Sequence, residues 1–470
     1  MRTELRVDSR AFNQPVGRRT LIATALGAGA SLVASGPRTA SAANASPNRS
    51  VTATELGVAH STGVDQTAVL QKALDEAAAR GLVLRLPPGA YRVAGGLKLK
   101  PGQKIAGTSG SSRLIFTGQG TFLSADNAHN IHIEGVVFDG GLRPLDAFRG
   151  ADALLTFVRC QGLRLRDVTI VNSGLNGLSL RECSGAITDT TISGATNAGL
   201  FSIDAKGLEL AHNHVTDCGN NGILVWTTRP GEDATQITNN RIERIAALGG
   251  GSGQNGNGIN IYRAGHVLVT GNRIADCAFS AIRANAASNI QMIANSCARL
   301  GEVALYAEFA FEGAVIASNL VDGAADGIAV TNFNEGGRLA VIQGNLVRNL
   351  FRRETSQDKR GIGIGVEADA AVSGNVIENA PTAGIFIGWS QWQRGVAATG
   401  NVIRNARIGI AFQAVAKAGP VLIANNLITD APGGAIRAMD HFTPLGTDLA
   451  RAGADVSRYT NLAIAGNMAA

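Results

Sequence analysis

Charged and aromatic side chains are scarce in this sequence. Only 17% of its 470 residues are charged and 5% are aromatic. Long exposed helices carry a charged face, so this composition argues against a mainly helical protein. Disorder is equally disfavoured, because 45% of the residues are hydrophobic and disordered chains are poor in such residues. The sequence therefore predicts a folded chain with few long helices.

Cysteine is present, but not in a pattern that binds metal or builds a disulfide framework. There are five cysteines, an odd number. None is spaced as Cys-x-x-Cys or combined with histidine as in zinc sites. We also find no glycine-rich phosphate loop and no iron–sulfur motif. We therefore predict no metal site and no cofactor.

The first 42 residues have the features of an export signal. Arg18 and Arg19 precede an apolar stretch at 21–34, and an Ala-Ser-Ala tripeptide ends at Ala42. The stretch is shorter than the roughly 20 residues that span a bilayer, which argues against a membrane anchor. The pattern resembles a twin-arginine signal peptide with cleavage after Ala42. We expect a periplasmic or secreted protein, exported folded by the twin-arginine machinery without stable membrane insertion.

Removal of this segment changes the charge balance. The whole chain has 42 basic and 36 acidic residues, and residues 1–42 hold six arginines and two acids. The remaining chain therefore has 36 basic and 34 acidic residues. Such a balance gives no basic footprint for nucleic acid, and we predict no nucleic-acid partner.

Glycine, in contrast, is abundant, and it recurs in related segments. Examples are VTGNRIADC at 269–277, VSGNVIENA at 372–380 and ATGNVIRNA at 398–406. Most of these segments are 22 to 26 residues apart. The residues that mark them are Val168, Thr190, Asn213, Asn240, Asn272, Asn295, Asn319, Asn345, Asn375, Asn401, Asn426 and Asn467. A Gly-Ile or similar pair follows most markers by nine or ten residues.

A repeat of this length made of short alternating runs predicts a solenoid. Each repeat forms one coil, and alternate Ile, Val and Leu side chains fill a shared core. We place the marker Asn at a tight bend in the left-handed conformation, which Asn tolerates better than most residues. Stacked Asn side chains then hydrogen-bond along the column. The Gly-Asn repeat is therefore interpreted as structural.

These repeats, together with the chain start, resemble the pectin-lyase-like right-handed parallel β-helix superfamily. The segment DQTAVLQKALDEAAARG predicts a helix over 65–80, with Asp65 as N-cap and Gly81 as C-cap. It is followed by LPPGAY at 86–91, which is similar to the opening cap of pectate-lyase-type chains. Within the superfamily, the twin-arginine signal and the Gly-Asn repeats resemble the Tat-translocated repetitive protein family. That family has no settled activity to carry over.

The resemblance implies an all-β chain, a right-handed parallel β-helix of about twelve coils with an N-terminal α-helical cap. The predicted organisation is a signal peptide at 1–42, a linker at 43–54, a cap at 55–110 and the β-helix at 111–470. The resemblance also implies that an active site lies on the outer face of the sheet that contains the Gly-Ile pairs. The polygalacturonase segment Gly-His-Gly and the epimerase segment Asp-Pro-His-Asp are both absent, so no subclass is assigned.

Three repeats carry insertions, at 139–152, 247–257 and 351–360. The last two fall at the same turn, four coils apart. At about 4.8 Å per coil, they lie roughly 19 Å from one another. We interpret them as the walls of a cleft that suits several sugar units.

The strands between these walls carry the polar and aromatic residues that we expect to face outward. Arg283, Tyr306 and Glu308 are the predicted catalytic residues. The predicted substrate-binding residues are Asn260, Tyr262, Asn285, Glu367, Trp226 and Arg360. The bland alternative is a solvated sheet face on which Arg283 and Glu308 form a surface ion pair.

This set predicts a carbohydrate-active protein whose partner is a polysaccharide or oligosaccharide. β-Elimination from a uronic acid requires a neutralised carboxylate, a base and a proton donor. Arg283 suits carboxylate binding, and Tyr306 suits proton transfer. C5-epimerisation requires nearly the same groups. The basic loop at 351–360 favours an anionic polymer.

Two other functions remain open. An inverting hydrolase needs two carboxylates about 6.5–9.5 Å apart. Glu308 and Glu367 fall in one column two coils apart, roughly 9.6 Å between backbones. The other alternative is a non-catalytic glycan-binding or envelope scaffold protein, because fold alone does not fix function.

A few residues outside the cleft have open interpretations. Trp389 and Trp392 suit either a sugar-stacking platform or edge packing. Asp440 and His441 have no visible partner in the sequence. Cys160 and Cys183 occupy equivalent positions of adjacent coils, within reach of a disulfide, although free stacked thiols are favoured.

Overall fold

The structure is a computed structural model of the chain. It describes residues 49–146, 152–251, 253–331, 337–353 and 360–470. The predicted signal peptide and residues 43–48 of the predicted linker lie outside the described residues. Within these ranges a long helix, Thr67–Ala79, precedes a succession of short strands, and short 3₁₀ helices occupy Thr54–Leu56 and Ser390–Trp392.

The strands form three long sheets, which we call A, B and C in the order in which the chain visits them within each turn. Sheet A has 16 strands. They are Ser50–Thr52, Val83–Arg85, Lys104–Ala106, His132–Glu134, Leu163–Arg166, Gly185–Thr188, Glu209–Ala211, Gln236–Thr238, Leu268–Thr270, Ile290–Ile293, Glu312–Ala317, Arg338–Gln343, Ala368–Ser373, Arg394–Thr399, Val421–Ala424 and Leu462–Ala465.

Sheets B and C have 15 strands each. The strands of sheet B are Gly89–Val93, Ser112–Phe116, Val136–Asp139, Thr169–Val171, Thr191–Ser193, His214–Cys218, Arg241–Ile245, Arg273–Cys277, Ser296–Ala298, Leu320–Asp322, Leu346–Arg348, Val376–Ala380, Val402–Ala406, Leu427–Thr429 and Met468–Ala469. The strands of sheet C are Leu97–Lys98, Leu123–Asp126, Ala153–Val158, Asn176–Arg181, Ala198–Ile203, Asn221–Glu232, Asn257–Gly265, Ile282–Asn285, Val303–Glu308, Asp326–Thr331, Ile362–Val366, Ala383–Ile387, Ile410–Gln413, Ile436–Asp440 and Thr443–Leu445.

The chain passes through A, B and C in every turn, so each strand pairs with its equivalent one turn away. From Val83 to Asp440 this succession completes fourteen turns. Pairing of the described strands is parallel except between Ile436–Asp440 and Thr443–Leu445. The predicted fold class, a right-handed parallel β-helix, is confirmed. The β-helix has fourteen complete turns instead of the predicted twelve or so. The difference arises because the first turn begins at Val83, before the predicted start of the β-helix at residue 111.

The Gly-Ile pairs have a steric cause. Ile328 and Ile385 point into the core and are fully buried. The glycine before each of them lies where sheet B crowds sheet C: a Cβ on Gly327 would lie 2.3 Å from Val347 Cγ1, and one on Gly384 would lie 2.5 Å from Ile403 Cγ2. The recurring glycine therefore lets the sheets close on one another.

The Asn markers form a buried ladder at the corner between sheets A and B. At Asn345, for example, the side-chain amide donates to Asn375 Oδ1 at 2.9 Å and to the Ile316 carbonyl at 3.0 Å. The backbone N–H of Asn345 also donates to Asn375 Oδ1, at 3.0 Å. These repeated bonds confirm the predicted stacking of the Asn side chains.

The predicted left-handed conformation of the marker Asn is wrong. The left-handed residue is the one before it, as in Gly271 with φ 67° before Asn272 and Gly374 with φ 62° before Asn375. Glycine adopts that conformation without steric cost. The Gly-Asn pair therefore divides two tasks: glycine makes the bend, and Asn makes the ladder.

The N-terminal helix packs on the first turn through Leu70, Ala73, Leu74 and Ala77, all of which are buried. It begins at Thr67, and Asp65 lies two residues earlier. The Asp65 carboxylate accepts the Thr67 N–H at 3.2 Å and the Ala94 N–H at 2.9 Å. Asp65 therefore joins the helix start to the first turn.

All five cysteines are free and buried. Cys160 and Cys183 lie in adjacent turns, as the sequence predicts, and their thiols each donate to a backbone carbonyl. No helix among the described residues is long and apolar enough to cross a membrane.

Candidate functional site

The three insertions all lie at the corner between sheets B and C. The insertion at 247–257 leads into strand Asn257–Gly265, and the one at 351–360 leads into Ile362–Val366. These strands are four turns apart in sheet C, as predicted. The insertion at 139–152 enters the same sheet four turns earlier still. Parts of each insertion, including 354–359, lie outside the described residues.

Strand pairing arranges the outward residues of sheet C in two columns. The first outer column is Leu224, Asn260, Arg283, Tyr306, Ala329, Gly365 and Phe386. The second outer column is Trp226, Tyr262, Asn285, Glu308 and Thr331. Glu367 follows strand Ile362–Val366 and continues the second column.

Arg283 and Glu308 form an ion pair across neighbouring turns. Arg283 Nε donates to Glu308 Oε1 at 2.6 Å, and its Nη2 donates to Oε2 at 2.9 Å. Asn285 Nδ2 also donates to Oε1 at 2.9 Å. Glu308 is only 1% exposed, so the alternative of a solvated surface ion pair is wrong.

Further ion pairs connect Arg283 to the inserted loop through Glu302, whose carboxylate lies 3.8 Å from Arg283 Nη1. Glu302 accepts from Arg353 at 3.1 Å and from Arg360 at 3.4 Å. Arg360 also pairs with Asp326 at 3.0 Å. Asp326 Oδ1 in turn accepts the Ile362 N–H at 2.9 Å. Both ends of the loop at 351–360 are thus anchored to the outer face of sheet C. We call Arg283, Glu302, Glu308, Asp326, Arg353 and Arg360 the buried ion-pair cluster.

Tyr306 lies between this cluster and an open depression. The Arg283 guanidinium is 4.9 Å from the centre of the Tyr306 ring. The ring also packs against Val303 and Ala329. Burial raises the pKa of Tyr306 to about 12, because the ionised phenolate loses solvation. The hydroxyl therefore keeps its proton at neutral pH.

The depression is a pocket of about 200 Å³ on the outer face of sheet C. The pocket is a dip in the first outer column, where the small residues Ala329 and Gly365 lie between the large rings of Tyr306 and Phe386. These two residues form its floor. Its lining residues are Tyr306, Asp326, Ala329, Thr331, Arg360, Ile362, Gly365, Val366, Glu367, Phe386, Gly388, Trp389 and Phe442. Tyr306 and Phe386 are three turns apart, about 14 Å.

Aromatic rings form one wall of the pocket. The Phe442 ring lies 5.4 Å from Phe386 and 5.4 Å from Trp389. His441 packs against Trp389 at 5.0 Å, and its Nδ1 is 2.7 Å from Asp440 Oδ1. Asp440 and His441 therefore have partners that the sequence does not reveal.

A second aromatic group lies toward the N-terminal end of the same face. The rings of Phe201, Trp226 and Tyr262 follow one another at 5.3 and 5.8 Å, and we call them the aromatic strip. Trp226 Nε1 donates to Asn260 Oδ1 at 3.1 Å, and Asn260 Nδ2 donates to the Gly253 carbonyl at 3.0 Å. Asn260 thus connects the strip to the insertion at 247–257.

The predicted site residues are therefore distributed over three adjoining groups. Tyr306, Glu367 and Arg360 line the pocket. Arg283, Glu308 and Asn285 lie beside it in ion pairs and hydrogen bonds, and the structure adds Asp326 as a pocket residue. Trp226 and Tyr262 belong to the aromatic strip, and Asn260 is hydrogen-bonded to it. The small floor residues Ala329 and Gly365 were not among the predicted site residues, although their succession in an outward column follows from the alignment of the repeats.

A larger depression of about 730 Å³ lies on the outer face of sheet A. It is lined by surface side chains such as Arg166 and Glu134, which pair with each other. Buried ionisable groups mark functional sites more often than exposed pairs do. The pocket on sheet C is therefore the stronger candidate.

Two family models match parts of the chain. The model described as a right-handed beta helix region matches residues 229–393, and that of the periplasmic copper-binding protein NosD matches residues 116–299. A comparison with curated proteins finds no match.

Solved structures with a similar fold include a PL6 alginate lyase in complex with a trisaccharide. It has a TM-score of 0.51 and 14% identity, over 90% of this chain and 95% of that one. The AlgE6 mannuronan C-5 epimerase A-module of Azotobacter vinelandii has a TM-score of 0.49 and 16% identity, over 75% and 97%. The surface adhesin PfbA of Streptococcus pneumoniae has a TM-score of 0.48 and 13% identity, over 84% and 94%.

The alginate lyase match shows the fold alone, and this chain shares the right-handed parallel β-helix fold of pectin-lyase-like proteins. Copper binding appears in the name of one matching family. Among the described residues, however, no three His, Cys, Asp or Glu side chains converge as metal ligands. A copper site is therefore not carried over to this chain.

Proposed function

We propose that this protein acts on a polysaccharide that lies along the outer face of sheet C, with the pocket as its reactive subsite. The observation that carries the proposal is the composition of the pocket: an aromatic wall, a low floor and buried ionisable side chains. Aromatic rings pack on the apolar faces of sugars. Buried ionisable groups are suited to proton transfer. The aromatic strip extends the same face and offers further sugar contacts through Trp226 and Tyr262.

The first candidate reaction is β-elimination or C5-epimerisation of a uronate. In elimination a base removes the C5 proton, a C4–C5 double bond forms, and the bond from C4 to the leaving oxygen breaks. The leaving oxygen takes up a proton. In epimerisation the C5 proton is replaced from the opposite face. We assign proton donation to Tyr306, which stays protonated at neutral pH, and proton removal to Glu367.

The remaining predicted residues support this site. Arg283 and Glu308 satisfy each other's charge, so we assign both to positioning Tyr306 rather than to sugar contact. Asn285 holds Glu308 in place. Arg360 lies at the pocket and is the cation that we expect nearest to a bound carboxylate.

Inverting hydrolysis is the second candidate reaction. It is favoured by the two carboxylates that line the same pocket, Asp326 and Glu367. Glu308, the sequence-based partner of Glu367, is less suited because it is not among the residues that line the pocket. Binding without catalysis is the third outcome that the assay below distinguishes.

The proposal is tested by closing the pocket. A Cβ on Gly365 would have only ordinary contacts, at 3.8 Å to Ile362 Cγ2 and 4.0 Å to the Ile328 carbonyl. Gly365→Leu should therefore fold and fill the floor. Its matched control is Ala371→Leu, on the exposed outer face of sheet A.

The assay incubates the purified protein with alginate, polygalacturonate and neutral glucans. Elimination raises the absorbance near 235 nm, and hydrolysis produces only new reducing ends. Epimerisation changes the ratio of the two C5-epimeric uronates in the recovered polymer, and binding alone appears only in affinity electrophoresis. We expect Gly365→Leu to lower activity or binding at least tenfold, and Ala371→Leu to leave both unchanged. Tyr306→Phe and Glu367→Gln should abolish catalysis while retaining binding. Equal behaviour of wild type and Gly365→Leu on every substrate contradicts the pocket assignment.

We further propose that the chain is exported folded by the twin-arginine route, cleaved after Ala42 and released to the periplasm or beyond. Arg18 and Arg19 with the Ala-Ser-Ala site support this, as does the periplasmic name of the NosD family. The mass of the mature protein should correspond to a start at Ala43. Retention of the full-length chain in the cytoplasm contradicts the proposal.

A further inference from the structure

The outer face of sheet B changes character along the solenoid. Its outward residues in the middle turns include Arg241, Arg273 and Ser296, which succeed one another in register. From the next turn onward, the same column is aliphatic. Its members are Leu320, Leu346, Val376, Val402, Leu427 and Met468. We call these six residues the aliphatic column.

The aliphatic column is accessible to solvent. Val376 is 43% exposed, Val402 is 38% and Met468 is 67%. Single exposed aliphatic residues are ordinary, but a contiguous row over six turns is not. Inward neighbours such as Ile377 and Ile403 already fill the core. The aliphatic column therefore contributes nothing to the interior of this chain.

A column of alternating charge runs beside it. Asp322, Arg348, Glu378 and Arg404 follow in register. Arg348 pairs with Asp322 at 2.8 Å, and Arg404 with Glu378 at 3.7 Å. All four are at least partly exposed. We call them the charged column.

We propose that this face of sheet B is a homodimer interface, in which two copies pack antiparallel about a two-fold axis. The axis lies in the interface, perpendicular to the solenoids, between the turns of Val376 and Val402. A two-fold interface brings the same patch of both copies together. In this arrangement the aliphatic column of one copy faces that of the other in reverse order, and the Glu378 and Arg404 pair of one copy faces the same pair of the other.

Glu378 and Arg404, the two members of the charged column on either side of this axis, have opposite signs. When the axis falls between two turns, Glu378 of one copy faces Arg404 of the other, and Arg404 faces Glu378. Because both copies have the same spacing per turn, about 4.8 Å, the register holds along the whole contact.

The size of the face predicts a weak dimer. Six turns cover about 24 Å along the solenoid, and a strand of three residues covers about 10 Å across it. The resulting area of roughly 240 Å² is well below the roughly 800 Å² per partner of a standard interface. We therefore expect a dissociation constant in the micromolar range or weaker. Sedimentation velocity from low micromolar to several hundred micromolar protein should show a monomer that converts to dimer.

The charges allow a test that folding defects cannot imitate. Glu378→Arg places two arginines opposite two arginines, and Arg404→Glu places two glutamates opposite two glutamates. Each variant alone should remain monomeric at concentrations where the wild type dimerises. An equimolar mixture should form a heterodimer, because the two arginines of the first variant then face the two glutamates of the second.

The aliphatic column is tested separately with Val402→Lys, which should weaken dimerisation at least tenfold. Its control is Thr191→Lys, at the equivalent outward position of an earlier turn, which should not. Circular dichroism confirms that each variant is folded. A wild type that stays monomeric throughout, or charge variants that stay monomeric when mixed, overturns the proposal. So does a monomer that binds lipid vesicles or a polysaccharide through Val402, because another occupant then covers the face.

Discussion

At the scale of the residue, the outer face of sheet C shows how far burial can reach outside a solenoid core. Glu308 points away from the core and is nevertheless 1% exposed. The side chains of Arg283 and Asn285 in the neighbouring turn hold its carboxylate. An outward direction in a strand is therefore not the same as contact with water, and the charge of Glu308 requires a partner at close range.

We expect Arg283→Met to lower the free energy of unfolding by about 3–5 kcal/mol, the usual cost of removing one partner of a buried ion pair. The buried Glu308 carboxylate would then keep its negative charge without a positive partner, and only Asn285 would still donate a hydrogen bond to it. Denaturant unfolding, followed by circular dichroism, measures the change.

The control for this prediction is the exposed pair of Arg299 and Asp276, which are 2.6 Å apart. Arg299→Met should cost less than about 1 kcal/mol, because water replaces an exposed partner. If both variants lose the same stability, the pair of Arg283 and Glu308 is not buried in solution.

At the scale of the element, the two residues of the Gly-Asn pair have different roles at the corner between sheets A and B. The sequence shows that both residues recur, but it does not show which of them takes the left-handed conformation. The structure assigns it to the residue before Asn. Where that residue is not Gly, the position is taken by His212, Asn239, Ala294, Ser318 or Asn425. Asn itself is retained for its side-chain amide.

Asn345→Ala should therefore destabilise the solenoid by at least about 2 kcal/mol, since buried groups left without a partner cost about 1–3 kcal/mol each. The substitution removes the acceptor of the Asn319 N–H and of its side-chain amide, at 2.9 and 3.0 Å. The melting temperature and the denaturation midpoint measure the loss.

A second, exposed Asn ladder supplies the comparison. Asn379 donates to Asn349 at 2.8 Å and accepts from Asn405 at 2.7 Å. Asn379→Gly keeps a residue that tolerates its left-handed backbone, and water can replace the lost bonds. Its effect should stay within about 1 kcal/mol. A larger loss here than in Asn345→Ala would contradict the role assigned to the buried ladder.

At the scale of the whole molecule, the solenoid is close to one-dimensional, because each turn contacts mainly its neighbours. Function, in contrast, depends on positions several turns apart. The pocket needs Tyr306, two small floor residues and Phe386 in succession, together with Trp389 and Phe442 from the edge of the sheet. Stability is therefore distributed along the chain, whereas the candidate site is confined to one part of it.

Deletion of one complete turn, residues 160–182, should leave a folded protein. Arg159 and Glu182 occupy equivalent left-handed positions, so Cys183 can follow Arg159 in the place of Cys160. We expect an unchanged β-sheet spectrum, a melting temperature lower by a few degrees, and unchanged activity at the pocket.

Deletion of residues 160–171 removes only the strands of sheets A and B from that turn, and is the control. It should unfold the protein, because the following strands would pair out of register. Loss of structure in the whole-turn deletion as well would show that the turns are not independent units.

The sequence by itself determined the repeat, the direction of each side chain and the identity of the core. These follow from the alternation of a strand and from contacts between neighbouring turns, both of which are local in the repeat. The outward positions of Asn260, Arg283, Tyr306 and Glu308 follow from the same alternation. The location of two insertions at one corner, four turns apart, was equally predictable from their spacing.

Only the tertiary structure decided which outward residues are buried, which are paired and where the surface is concave. Arg353 and Arg360, at the two described ends of the insertion, reach Glu302, which lies two turns away. The pocket exists because Ala329 and Gly365 lie between two large rings from other turns. Such contacts depend on loop path and on the relative size of side chains more than twenty residues apart. A one-dimensional pattern specifies neither, and so the pocket becomes visible only in the folded chain.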